Sequence, residues 1–459
     1  MKTKIDISNY ISKIVGPYDT IELMDNITDD DGNIVEGISI RVARRRKPNS
    51  LIYIGFYFPN EHNGVLLQGG NGGLASGLPN TVTARFTSEG YAFMNCNLGT
   101  SHGELSGYNN PTLWEDFGHV AIYETHRIGL ELYSFIYGKS PEYTYYWSGS
   151  TGGQMGMSML LRHPECFDGA IMGAPANNRV SLHTYFVWIH QKLREIGEYH
   201  RPLFNKADCE AIHRIAIEFH KARGRMLADA PDTIAFPVTE EHEIDEFLLE
   251  VAKALPLTDA QKQALYDVYQ GPVNPNTGKR FYRGYPIGSE FEPFGLYNAS
   301  TSEKALAHKF ISLWALGHDF NPYTFDFGRD YEKSMELLSE NLDASSPDIT
   351  AFLSRGGKLL MLAGTNDCVV PYGGTVDYVK EVRATVPEEY LENFKFFVLP
   401  TRNHCVANGN TSIVTYHEEE GSLLDAMRDW VEHGKCPEML FTHAITEEKA
   451  VITVPTFPA

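Results

Sequence analysis

YTYYWSGSTGGQMGMSMLLRHP, residues 143–164, changes character at its centre. TYYWSG (144–149) is a run of aromatic and β-branched residues closing on small ones, and it reads as a buried strand. TGGQMGMSMLLRHP (151–164) reads as a helix that ends before Pro164. Ser150 alone separates the two. A turn that sharp needs small residues beside it, and Ser148, Gly149, Gly152 and Gly153 supply them.

The same alternation continues on both sides. Upstream, ISIRV (38–42), SLIYIGFYFP (50–59), GVLLQGG (64–70) and EGYAFMNCN (89–97) read as strands, and 115–138 reads as a helix stopped by Gly138. Downstream comes the strand FDGAIMGAP (167–175). The pattern then breaks. Residues 179–349 read as mostly helical, with long aromatic connections such as EFEPFGLYN (290–298) and NPYTFDFG (321–328). Strand and helix resume with KLLMLAG (358–364), YGGTVDYVKEVRATV (372–386), FKFFVLP (394–400) and EEGSLLDAMRDWVEHG (419–434). Strand–helix–strand spacing predicts an α/β core with a mostly parallel sheet covered by helices on both faces. That core is discontinuous, 1–178 and 350–459, and 179–349 is a helical insertion at the ligand edge of the sheet.

The chain has 459 residues, 42% hydrophobic and 21% charged, which excludes a mainly disordered protein. Its net charge of −20 argues against nucleic-acid binding and against attraction to an anionic membrane surface. No apolar run approaches the ~18 residues of a membrane span. MKTKIDISNYISKIVG has neither a continuous apolar region nor a small-residue cleavage site, and the six cysteines are scattered with no CxxC. A reducing, cytoplasmic setting is the expectation. Asp29-Asp30-Asp31-Gly32-Asn33 lacks the ligand spacing of a calcium loop and predicts a hairpin turn.

Strand, Ser150 and helix together resemble the nucleophile elbow of α/β-hydrolases, with Ser148 where the consensus has glycine. Such a serine needs an acid and then a histidine further along the chain. Asp367, in GTNDCVVP just past the strand 358–364, can accept a hydrogen bond from a histidine and fix its tautomer. His404, in LPTRNHCVANG just past the strand 394–400, can reach over the sheet to the serine. An oxyanion requires backbone donors. One is expected at Thr151, and the other at Gly72 or Gly73 in LLQGGNGGLASG (66–77), with Gly72 preferred. That glycine loop is not a phosphate cradle, because no Gly-Lys-Ser/Thr follows and no GxGxxG opens a helix.

At this point the chain resembles the tannase and feruloyl esterase family. The resemblance is carried by Asp116–Asn178, with its Ser-Thr-Gly-Gly elbow and FDG…GAPA continuation. GGNGG, GTNDCVVPYGGTVDY, NHC and YQGPVNPNTGKRFYRGYPIGSE (269–290) carry it further, so that it covers roughly 35–440. It implies an α/β-hydrolase fold, Ser150 as nucleophile, His404 as general base and Asp367 as orienting acid. It also implies that 179–349 is a lid closing over the aromatic acid group of an ester. Two departures stand out. The family's cysteine before the nucleophile is replaced by Gly149, so its usual bond to the cysteine after the histidine, here Cys405, cannot form. Cys368 and Cys405 are expected to be two inert thiols. The family's Asp/Gly-rich calcium loop has no counterpart in 200–245, and no HExxH occurs, so neither a metal nor another cofactor is expected. His213 and His220 are expected on a solvated helix face.

The resulting expectation is a serine hydrolase of phenolic aromatic esters, such as feruloyl or galloyl esters, acting through an acyl-enzyme on a small-molecule substrate. Trp188, Tyr285, Trp314, Tyr323 and Phe325 are candidates to sandwich the phenolic ring. Alternatives are a hydrolase of another aromatic ester such as a terephthalate monoester, an acyltransferase, and an inactive hydrolase-fold binding protein.

Overall fold

The computed structural model describes residues 2–79, 82–197, 199–227, 230–234, 241–400, 402–404, 414–445, 451–456 and 458–459. Among the described residues, nine strands form the central sheet: β1 (Thr20–Thr28), β2 (Ile34–Arg44), β3 (Ile52–Pro59), β4 (Val65–Gly69), β5 (Ala92–Cys96), β6 (Tyr143–Gly149), β7 (Gly169–Gly173), β8 (Lys358–Gly364) and β9 (Phe394–Leu399). Their spatial order is β1-β2-β3-β5-β4-β6-β7-β8-β9. Pairing is antiparallel from β1 to β5 and parallel from β5 to β9. This is the α/β-hydrolase arrangement with an extra antiparallel strand, β1, on one edge.

The middle strands are buried along their whole length because both faces are covered. Successive side chains leave for opposite sides. Leu66, Tyr146 and Met172 join one hydrophobic cluster, and Leu67, Tyr145 and Ile171 join the other. Helices α2 (Ala121–Tyr137) and α3 (Thr151–Arg162) cover the first face through Ile128, Leu132, Met155 and Met159. Helix α10 (Leu423–His433) covers the second through Leu424, Met427 and Trp430. Each such fully buried side chain stabilises the fold by about 1.5–3 kcal/mol.

Residues 179–349 hold α4 (Arg179–Lys192), α5 (Lys206–Lys221), α6 (Glu241–Ala254), α7 (Asp259–Gln270) and α8 (Arg329–Leu342), with shorter helices and one small ladder, Met226–Leu227 with Ala230–Ile234. Their apolar residues belong to the same cluster as the first face of the sheet, so one hydrophobic core runs from the sheet into the insertion. Polar ties reinforce it. The Trp314 indole donates to Glu104 O at 2.7 Å, and Arg283 grips Asp377 of α9 (Tyr372–Thr385) through two bonds of 2.5 and 2.9 Å.

The expected hairpin turn joins β1 to β2. Asp29 Oδ1 accepts the N–H groups of Asp31 and Asn33, and Gly32 takes φ +83°. Three features were not anticipated. Helix α1 (Lys4–Ile14) opens the chain with a Thr3–Asp6 capping box. The long helix 115–138 contains a π-turn at Asp116–Val120, which joins Pro111–Glu115 to α2 in one continuous helical run. There a Cβ on Gly118 would stand 1.8 Å from Asn341 O, so the insertion's backbone presses directly on the turn. Finally, the hairpin Leu440–Ile445 with Val451–Thr456 follows α10, and Val414–Thr415 pairs with its first strand.

Candidate active site

Ser150 sits between β6 and α3 with φ 58° and ψ −124°, a left-handed conformation that a residue with a Cβ rarely adopts. Such strain costs on the order of 1–3 kcal/mol and persists only when the surroundings enforce it. Here they do. The Ser150 N–H donates to Gly173 O at 2.9 Å, and Ser150 O accepts from Gln154 N–H at 3.1 Å and Ala176 N–H at 3.0 Å. Glycine is required close by. A Cβ on Gly153 would lie 2.6 Å from Pro175 Cα, and one on Gly152 would lie 1.9 Å from Ser148 Oγ.

This crowding makes a prediction. Gly152→Ala should destabilise the protein by about 3 kcal/mol or more, because overpacking against strand and loop has little room to relax. Ser148→Gly removes the clashing atoms and should recover most of that loss in the double variant. Denaturant unfolding of both single variants and the double variant measures it, and additive losses would show that the Ser148 contact is not the cause.

The other two residues arrive from the ends of β8 and β9. Asp367 is fully buried. Its Oδ1 accepts the N–H groups of Val369 and Val370 at 2.8 and 2.9 Å, and its Oδ2 lies 2.9 Å from His404 Nδ1. His404 Nε2 lies 2.8 Å from Ser150 Oγ. The two loops are fastened to each other by Asn366 N–H donating to Arg402 O at 2.8 Å. A carboxylate with no proton to give must accept from Nδ1. That assigns the ring proton to Nδ1 and leaves Nε2 as the acceptor facing the serine hydroxyl.

Thr151 begins α3, and its hydroxyl donates to Gly73 O at 2.8 Å, which fastens the glycine loop after β4 to the elbow. The preference for Gly72 as second oxyanion donor does not fit this arrangement. Its N–H donates to Asn71 Oδ1 at 2.8 Å, because the Asn71 side chain folds back over the loop and is held by Gly77 O and Cys96 O. Gly73, with φ +55°, is the glycine drawn against α3, the helix that follows Ser150.

Nothing in the sequence marked the residues that the insertion brings to this centre. The Tyr185 hydroxyl donates to Cys368 O at 2.9 Å, next to the acid. Tyr282 is held well above the ordinary phenol range by burial and by the Asp367 charge. One turn along α3 from Ser150, buried Arg179 donates to Gln154 Oε1 at 3.0 Å and lies 3.2 Å from His183 Nε2. His308 is pushed down to about 4 by burial and by the charges of Arg179 and His404, so at neutral pH it is an uncharged neighbour of the site.

The five aromatic candidates are engaged in packing, Tyr285 edge-on to Tyr185. Trp188, Tyr285, Trp314 and Phe325 are buried; the Trp188 indole donates to Asp267 O, the Tyr285 hydroxyl to Phe294 O, and Trp314 packs on Phe117 and Phe310. Tyr323 stacks on His200. They pack the insertion's own interior and its seam with the core. The solvated face expected for His213 and His220 is also corrected. His213 Nδ1 lies 2.6 Å from Glu290 Oε2, and His220 is buried with Nε2 3.0 Å from Ile287 O, because this face of α5 packs on residues 287–290. Cys368 is buried, which pushes its thiol up and leaves it inert, while Cys405 lies outside the described residues. Among the described residues, no group of three or more His, Cys, Asp or Glu side chains could hold a metal ion, and no helix is long and apolar enough to cross a membrane.

The family description "Tannase and feruloyl esterase" matches residues 35–458. The chain belongs to the tannase and feruloyl esterase family. Feruloyl esterase B of Aspergillus niger is 28% identical over 406 residues, covering 84% of this chain and 75% of that protein. The fold agrees with solved members. Feruloyl esterase B from Aspergillus oryzae superposes with a TM-score of 0.82 at 20% identity, over 99% of this chain and 95% of that one. The tannin acyl hydrolase from Aspergillus niger gives 0.72 at 17% identity, over 98% and 91%. Membership makes this chain a carboxylic ester hydrolase.

Proposed function

We propose that this protein hydrolyses esters of phenolic aromatic acids, feruloyl or galloyl in type, through an acyl-enzyme on Ser150. The observation that carries the reading is the series of 2.9 and 2.8 Å contacts from Asp367 through His404 to a serine held at positive φ. His404 Nε2 takes the hydroxyl proton as Ser150 Oγ attacks the ester carbonyl carbon. The carbonyl π electrons move to oxygen, and the N–H groups of Thr151 and Gly73 hold the resulting oxyanion. Each such donor is worth about 3–4 kcal/mol of barrier. The intermediate collapses, the C–O bond to the alcohol breaks, and the imidazolium protonates the leaving oxygen. Water, deprotonated by His404, then attacks the acyl carbon; the bond from that carbon to Ser150 Oγ breaks as the imidazolium returns the proton to Oγ, and the acid is released. Asp367 keeps its charge throughout and stabilises the imidazolium. The inserted segment acts as the cover of the acyl site. The phenolic assignment is supported by family membership and by the named activities of its relatives.

The purified protein should hydrolyse methyl ferulate, methyl caffeate or methyl gallate with kcat/KM at least tenfold above that for a short p-nitrophenyl ester, and a fluorophosphonate should label one serine. Equal rates on all four esters would remove the phenolic assignment. Absence of both label and turnover would remove the serine mechanism.

A further inference from the structure

Both loops that deliver the acid and the histidine end on a carboxylate of the insertion. Asn366 immediately precedes Asp367, and its Nδ2 donates to Glu292 Oε1 at 3.3 Å. Asn403 immediately precedes His404, and its Nδ2 donates to Glu292 Oε2 at 3.2 Å. One carboxylate therefore accepts, one oxygen each, from the residue before the acid and the residue before the base. The amide of Asn366 is turned the right way by the Thr365 hydroxyl, which donates to its Oδ1 at 3.2 Å. Glu292 is itself well anchored: its N–H donates to Ser289 O, and its carbonyl accepts from Gly295 N–H and Asn298 Nδ2. Neighbouring ties hold the same stretch to the acid loop, with Cys368 Sγ 3.8 Å from Ser289 O.

We infer that Glu292 is a positioning residue that sets the distance between Asp367 and His404 by clamping their two loops from the insertion. The inference rests on the reading of Ser150, Asp367 and His404 as the reacting residues. It gives the insertion a second role: it covers the site and also holds the site's geometry, so the stretch around Glu292 stays on the core when substrate enters. It also answers the absence of a cysteine at Gly149, since the histidine loop is held here by charge-assisted hydrogen bonds. A carboxylate suits the task because both of its oxygens accept. An amide would turn an N–H toward one of the two asparagine amides.

The test compares Glu292→Ala and Glu292→Gln with Asn366→Ala and Asn403→Ala in the full chain, on the ester the wild type cleaves fastest. Active sites are counted by fluorophosphonate titration. A displaced base at unchanged binding groups should lower kcat per active site by about 30–100-fold in Glu292→Ala, with KM within threefold. Glu292→Gln keeps one clamp and should fall between it and the wild type. Adding Asn403→Ala to Glu292→Ala should cost little more. If Glu292→Ala folds poorly, the two asparagine variants carry the same comparison. An unchanged kcat per active site, with only stability lost, would overturn the inference and leave the hydrolase reading intact. A wild type that neither turns over nor takes label would overturn both.

Discussion

Ser150→Ala and Ser150→Gly should both be inactive, and Ser150→Gly should be more stable than the wild type. Removing the hydroxyl removes the attacking atom, so kcat should fall by about 10⁴–10⁶, to whatever the oxyanion donors and binding supply alone. Stability should separate the two variants. At φ 58° a residue with a Cβ is strained, and alanine keeps the Cβ. Glycine has no such conflict, so replacing serine by it releases strain on the order of 1–3 kcal/mol, offset by about 0.5–1 kcal/mol of chain entropy lost on folding. The expected result is Ser150→Gly above the wild type by about 1 kcal/mol in denaturant unfolding, with Ser150→Ala at or slightly below it. Residual hydrolysis in either variant above the rate of a heat-killed control would remove Ser150 as the nucleophile. Equal stability of alanine and glycine variants would show that the turn is not strained in solution.

What was legible in the sequence is what chemistry forces into local order. The elbow needs a strand, a small-residue turn and a helix in immediate succession, so β6, Ser150 and α3 can be read from one stretch of 22 residues. Asp367 and His404 follow because each lies one short loop past a parallel strand, where the sheet's ligand edge must be. The illegible part depends on contacts between distant residues. Glu292 meets Asn366 and Asn403 across separations of 74 and 111 positions, and neither asparagine nor glutamate has a periodicity that announces the meeting. The packing partners of the insertion's aromatic residues were illegible for a related reason. Residue type says that Trp314 must be covered, but not by what. A Cβ on Gly107 would stand 2.1 Å from its ring, so a core glycine, not a substrate, faces it. His213 and His220 looked solvent-facing because histidine is polar, whereas each has a partner within 287–290 that sequence cannot show. The choice between Gly72 and Gly73 turned on which way the Asn71 amide folds.

Asp367→Asn is the variant in which geometry survives and chemistry does not. The asparagine Oδ1 can still accept the N–H groups of Val369 and Val370, so the side chain keeps its place and burial. The group facing His404 Nδ1 then becomes an amide N–H, a donor where an acceptor stood. Two donors cannot share that 2.9 Å contact, and the imidazole resolves the conflict by carrying its proton on Nε2. That proton points at Ser150 Oγ, 2.8 Å away, and the base has become a donor to the group it should deprotonate. The lost tautomer should cost about 10⁴ in kcat, with little change in KM, since no substrate contact is touched. Fluorophosphonate labelling should slow in parallel, because it uses the same proton transfer. Folding should be nearly unchanged, as the substitution removes a buried charge and keeps both hydrogen bonds to the loop. A fall of less than tenfold would mean that Asp367 does not orient His404, and the acid would have to be sought among the other carboxylates near the site, Glu292 first. A large fall accompanied by loss of cooperative unfolding would instead assign Asp367 to the loop's folding, through Val369 and Val370, and not to the histidine.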